Sequence, residues 1–132
     1  PFTTLSPNIG VFDGKFLADI PGLIEGASEG KGLGIRFLKH IEKVSVILHC
    51  ISSESRDVIK DYKTVRFEMG KFNPELLKKT EVILLTKSDL VDKKTLEKNI
   101  KKLKGKSDFI TGISIYDWES IEKLKKLITE FS

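Results

Sequence analysis

Cysteine is nearly absent: the 132 residues hold only Cys50, so no internal disulfide can form, and the usage suits a reducing compartment. Cys50 stands inside the apolar run from Val46 to Ile51, where the expectation is a small buried side chain. Long apolar runs are missing too. No stretch approaches the roughly 20 residues that span a bilayer, and no basic-then-apolar leader opens the chain; the expectation is a soluble, cytoplasmic protein with no membrane partner. Histidine is scarce. His40 and His49 have no cysteine or acid at ligand spacing, which argues against zinc. His49, in a strand, reads as a satisfied sheet histidine, and His40, late in a helix, suits the negative end of the helix dipole. No internal repeat or low-complexity linker interrupts the sequence.

What is present fits one compact domain over residues 1–132, at 39% hydrophobic and 32% charged, long enough to bury a real core. The net charge of +4 is modest. Most of the excess lies between Lys93 and Lys106, where Leu96, Ile100 and Leu103 recur at helical spacing among seven lysines. That spacing predicts an amphipathic helix with a lysine outer face. A solvated face explains it, and contact with RNA phosphates is the alternative.

Strand and helix patterns alternate along the chain. Asn8 to Phe12 and Phe16 to Ile20 flank Asp13-Gly14, a turn dipeptide, which predicts an antiparallel hairpin. Ile35 to Lys43 reads as a short helix with Phe37, Leu38 and Ile41 inward. Val44 to Ile51 is an almost unbroken apolar run, as expected of a strand covered on both faces. Val58, Tyr62, Val65, Met69 and Phe72 mark a helix over 55–72, ended by Asn73-Pro74. Val82 to Leu85 is the next buried strand, then the lysine helix, a shorter strand from Asp108 to Ser114, and a closing helix with Ile121, Leu124, Ile128 and Phe131. This order predicts an α/β, doubly wound and mostly parallel sheet with an antiparallel edge hairpin.

Ligands of such sheets bind beyond the carboxyl ends of the strands. Three chemically loaded segments sit there: Asp19-Ile20-Pro21-Gly22, Thr86-Lys87-Ser88-Asp89 and Ser114-Ile115-Tyr116. The first opens a loop to Gly34 that holds four further glycines. Glycine at that density lets backbone approach a ligand and change conformation, which reads as a switch. Gly30-Lys-Gly-Leu-Gly34 is no dinucleotide fingerprint, because Ile35 stands three residues after Gly32 and the loop does not follow a first strand.

Pro1-Phe-Thr-Thr-Leu5, Pro7-Asn8, Gly10-Val11, Ala18-Asp-Ile-Pro-Gly-Leu-Ile-Glu-Gly-Ala27, Gly32-Leu-Gly34 and Phe37-Leu38 through His40-Ile-Glu42, in that order, closely resemble the G domain of the Obg family of translation-factor GTPases. The resemblance implies a P-loop NTPase-like G domain running from switch I to the closing helix. It places Phe2, Thr3, Thr4, Leu5 and Ser6 in switch I around the nucleotide, with Thr4 as a Mg²⁺ ligand that folds over the γ-phosphate. Asp19 becomes the Walker-B-type acid on the metal, and Gly22 offers its N–H to the γ-phosphate beside Ile20 and Pro21. Thr4 and Gly22 are thus the implied catalytic positions.

Thr86, Lys87, Ser88 and Asp89 fall on the guanine-specificity tetrad. A carboxylate at Asp89 accepts from both N1–H and the 2-amino group of guanine, and adenine offers no such pair. Thr86 stands where the family has asparagine, and Lys87 would lay its stem along the base. Ser114 and Ile115 fall where the family has serine and alanine; the Ile115 N–H can donate to O6, while Tyr116 either covers the base or caps the core. Leu23 replaces the water-orienting glutamine of Ras-like proteins and can neither donate nor accept. Slow turnover follows, with water held by switch I backbone, a monovalent cation or a partner.

The sequence has no Gly-x-x-x-x-Gly-Lys-Ser/Thr loop, and the resemblance places that phosphate loop and the first strand upstream of Pro1. The expectation is a parent protein that binds GTP and hydrolyses it slowly to GDP with Mg²⁺ and associates with the large ribosomal subunit and its rRNA, not with DNA, while these 132 residues alone are weak or inactive. The alternatives are a non-enzymatic interaction module with a G-domain surface and an ATP-preferring relative of the YchF branch.

Overall fold

The computed structural model describes residues 9–12, 15–18 and 44–130. Residues Phe2 to Ser6 and Asp19 to Gly34, expected as switch loops, the Asp13-Gly14 turn, the helix expected over 35–43 and His40 all lie outside the described residues. The chain divides into two compact units, one of residues 1–44 and 64–78, the other of residues 45–63 and 79–132.

In the first unit, β1 (Ile9–Phe12) and β2 (Lys15–Ala18) pair antiparallel, with Ile9 opposite Ala18 and Phe12 opposite Lys15. This is the expected hairpin. The same unit holds the later part of α1 (Val58–Phe72) and a 3₁₀ turn, Pro74–Lys78. Asn73 joins them: its N–H donates to Met69 O (2.8 Å), and its side-chain oxygen accepts from Glu75 N–H (3.0 Å). The expected stop at Asn73-Pro74 therefore holds, because Pro74 cannot continue the ladder and Asn73 supplies a turn acceptor. A Cβ on Gly70 would lie 2.9 Å from Leu77 Cδ1, so the missing side chain admits Leu77 against the helix.

The second unit is a parallel three-stranded sheet in the order β3 (Val46–Ser52), β4 (Thr80–Thr86), β5 (Phe109–Gly112). With it go the first part of α1, then α2 (Lys93–Leu103) and α3 (Trp118–Glu130). Central β4 is buried through Glu81 to Leu85, as a strand with neighbours on both sides should be. Ile51, Val58, Tyr62, Ile83, Leu85 and Leu103 form its core cluster, with Leu96 and Ile100 packed against it. The apolar stripe read for α2 is therefore the face that packs inward.

Two expectations are corrected. The helix read from residue 55 begins at Val58, because Asp57 Oδ1 accepts from Lys60 N–H (3.0 Å) and Ser55 Oγ from Asp57 N–H (3.2 Å), a cap that spends those residues outside the helix. β3 is not covered on both faces: Ile47, His49 and Ile51 are buried, but Leu48 is half-buried and Cys50 is exposed. Cys50 points away from the core cluster on a strand that has β4 on one side only among the described residues, so its apolar sequence setting did not bury it.

His49 is satisfied at one nitrogen. Its Nδ1 lies 3.1 Å from Glu81 Oε2, both side chains under 5% exposed, while Nε2 has no partner among the described residues. The imidazole stacks on Tyr62 at 5.5 Å between centroids and 19° between planes. In the parallel register Ile47 faces Glu81 and His49 faces Ile83, so acid and imidazole are diagonal neighbours on one sheet face.

The lysines of α2 at 93, 94, 98, 101 and 102 are all exposed. Asp92 caps this helix, its Oδ1 accepting from Thr95 N–H at 2.7 Å. Hydrogen bonds from the Thr95 side chain and backbone hold the Asp92 carboxyl below the usual carboxylate range, so the cap persists as pH falls below the ordinary value and is lost only on further acidification.

Candidate nucleotide-binding loops

Parallel strands end on the same edge of the sheet, so the segments after β3, β4 and β5 meet there. Backbone pairing continues past the strands: Ser53 N–H donates to Thr86 O (2.9 Å), Ile113 N–H to Leu85 O (2.9 Å) and Ser88 N–H to Ile113 O (3.1 Å). Thr86 Oγ1 reaches Ile51 O at 3.5 Å, the outer limit of a hydrogen bond, so this tie to β3 is weak. Buried Asn99 adds a tie from α2, Nδ2 to Ser53 O at 3.4 Å. On β5, Gly112 admits its neighbours closely: a Cβ there would stand 3.1 Å from Leu96 Cδ2 and 3.4 Å from Ser88 Cβ.

The β4 loop turns sharply at Lys87, which has φ 56° and ψ 38°, and continues as the 3₁₀ turn Ser88–Leu90. Lys87 is exposed and is the one non-glycine residue with positive φ among those described. That conformation costs a lysine about 1 kcal/mol and glycine almost nothing. Lys87→Gly is therefore expected to raise folding stability by about 0.5 kcal/mol, net of glycine's larger unfolded-state entropy. Urea denaturation checks this; a less stable variant would show that the turn is not strained.

The β4 and β5 loops are joined by side chains. Ser114 Oγ donates to Asp89 Oδ1 at 2.8 Å and accepts from Tyr116 N–H at 3.0 Å. Asp89 Oδ2 keeps no partner among the described residues. Beyond Ser114 the chain makes a turn, Asp117 N–H to Ser114 O at 3.1 Å, and Asp117 Oδ1 then caps α3 by accepting from Glu119 N–H (3.1 Å). Ile115 and Tyr116 are each 82% exposed, so Tyr116 does not cap the core.

Of the residues expected to bind nucleotide, the structure brings Thr86, Lys87, Ser88, Asp89, Ser114, Ile115 and Tyr116 to one edge. Ser120 was missed. This 9%-exposed hydroxyl accepts from Ser114 N–H (3.1 Å) and lies 2.8 Å from Asp117 O and 3.2 Å from Ser114 O. Nothing in its spacing separated it from an ordinary first-turn serine. No helix among the described residues is long and apolar enough to cross a membrane.

A parallel α/β sheet with polar loops gathered at its carboxyl edge defines the class of open-sheet ligand-binding domains. The family of 50S ribosome-binding GTPases matches residues 1–87. A GTPase Obg from Rickettsia prowazekii (strain Madrid E) is 47% identical over 98% of this chain and 41% of its own length. One from Bacteroides fragilis (strain YCH46) is 52% identical over 74% of this chain and 26% of its own. The chain belongs to the 50S ribosome-binding GTPase family, in its Obg branch. It spans about two fifths, or less, of the length of these relatives.

Proposed function

We propose that residues 1–132 serve as one nucleotide-binding domain in a protein that binds GTP and hydrolyses it slowly to GDP in the cytoplasm. The observation that carries this reading is the Ser114 to Asp89 hydrogen bond, which holds a carboxylate beside a loop whose Ile115 N–H has no partner among the described residues. An acceptor facing N1–H and the 2-amino group, with a donor for O6, complements guanine and repels adenine, whose 6-amino group would meet that N–H.

Thr4 and Asp19 would hold Mg²⁺, which supplies charge neutralisation at the phosphates, and Gly22 would offer its N–H to the γ-phosphate. These three rest on resemblance. Leu23 supports slow turnover, since its side chain cannot orient water. The family's description as 50S ribosome-binding supports the large ribosomal subunit as partner.

The test is a titration of the complete reading-frame product with GDP and ADP. GDP is expected to bind at least about 100-fold tighter, the worth of a charged bidentate contact. Equal affinities would overturn the guanine reading, and no binding of either would favour a non-enzymatic interaction module.

A further inference from the structure

The loop after β5 carries four consecutive backbone N–H groups, Ser114 to Asp117, and three are consumed internally: Ser114 by Ser120 Oγ, Tyr116 by Ser114 Oγ and Asp117 by Ser114 O. Only the Ile115 N–H has no partner among the described residues, at a residue 82% exposed. We propose that Ser120 is a positioning residue for purine recognition, fixing which single N–H of this loop is offered to O6 of the base. The proposal rests on the guanine reading above and names a residue outside the loops that carry it.

Ser120 acts at both ends of the turn. Its oxygen occupies the Ser114 N–H, and its one proton lies 2.8 Å from Asp117 O, with Ser114 O at 3.2 Å. Being on the first turn of α3, it ties the loop to an element held by its own backbone ladder. The hydroxyl is buried and spent on protein groups, so it does not touch ligand itself. Its effect passes through Ser114, whose Oγ also orients the Asp89 carboxylate. One side chain therefore sets the spacing between the donor for O6 and the acceptor for N1–H. Without it, Ser114 N–H is left buried and unpaired, and the turn can rotate to give either N–H to water or ligand, which blurs the match.

The experiment measures affinities for GDP and 6-thio-GDP, whose sulfur accepts weakly in place of O6, in the complete reading-frame product. Ser120→Ala is expected to weaken GDP about fivefold to tenfold, the worth of one well-placed hydrogen bond, and 6-thio-GDP by less than about twofold. Ser120→Thr, which keeps the hydroxyl, is expected to restore most of the GDP affinity. Equal losses for both nucleotides, or no loss for GDP, would overturn the proposal, since a merely structural serine would not distinguish the atom at position 6.

Amide exchange on the unmutated protein decides the matter even if Ser120→Ala folds poorly. Ser114 N–H is expected to exchange slowly with or without ligand, and Ile115 N–H quickly until GDP is added; an Ile115 rate unmoved by GDP overturns the proposal. Asp89→Asn separates the two claims. If it leaves GDP affinity intact, the guanine reading fails; if it weakens GDP while Ser120→Ala does not, only the role of Ser120 fails.

Discussion

On the guanine reading, Asp89→Asn is expected to lower GDP affinity about 100-fold, because the neutral amide presents one oxygen where the carboxylate presents two, and turns a donor toward the donating 2-amino group of guanine. The substitution is nearly isosteric. Ser114 Oγ can still donate to the remaining oxygen, so the junction between the β4 and β5 loops survives. Asp89 is exposed, and folding stability should change by less than about 0.5 kcal/mol. The same amide suits xanthine, which has an acceptor at position 2, so XDP is expected to gain affinity as GDP loses it. Titrating both nucleotides and recording the urea midpoint separates lost recognition from lost fold. A loss shared equally by GDP and XDP would mean that Asp89 supports the loop without reading the base.

Glu81→Ala is expected to cost about 3 kcal/mol of folding stability, the lower range for breaking a buried pair by removing one partner. His49 is the reason. With Nε2 already unpartnered among the described residues, removing the acceptor at Nδ1 leaves a buried imidazole with neither nitrogen paired to a side chain seen there. The stacked Tyr62 ring cannot replace it, because its hydroxyl already donates to Lys106 O at 2.8 Å. Glu81→Gln keeps an acceptor and should cost about 1 kcal/mol. Replacing the pair together, Glu81→Leu with His49→Leu, should recover most of the loss, since an apolar pair of similar volume needs no partners. Urea denaturation of the three variants checks the series; a Glu81→Ala loss below about 1 kcal/mol would mean that the imidazole is solvated or re-paired.

These two sites differ in how far the sequence disclosed them. Asp89 follows a buried strand in a Thr-Lys-Ser-Asp tetrad, and both the strand and the loop after it are local features, so its place at the sheet edge could be read directly. Glu81 had no such signal. It precedes the apolar run Val82 to Leu85 with nothing in its spacing to mark it, yet the strand begins at Thr80 and parallel pairing sets Glu81 beside β3. Cys50 erred in the other direction, since an apolar run does not say how many faces of a strand are covered. Ser120 was silent because its partners are backbone atoms of a turn, whose shape no side-chain pattern encodes.

The sequence by itself determined the hairpin, the order of strands and helices among the described residues, the inward stripe of α2, the stop at Asn73-Pro74 and the family. Those depend on periodicity, turn chemistry and residues in fixed order, all local along the chain. Only the tertiary structure decided that Glu81 meets His49, that Cys50 faces outward, and that Ser114 joins Asp89 while Ser120 leaves the Ile115 N–H open. Each of those depends on register between strands or on which backbone groups a fold has already paired, and neither quantity exists until the chain closes on itself.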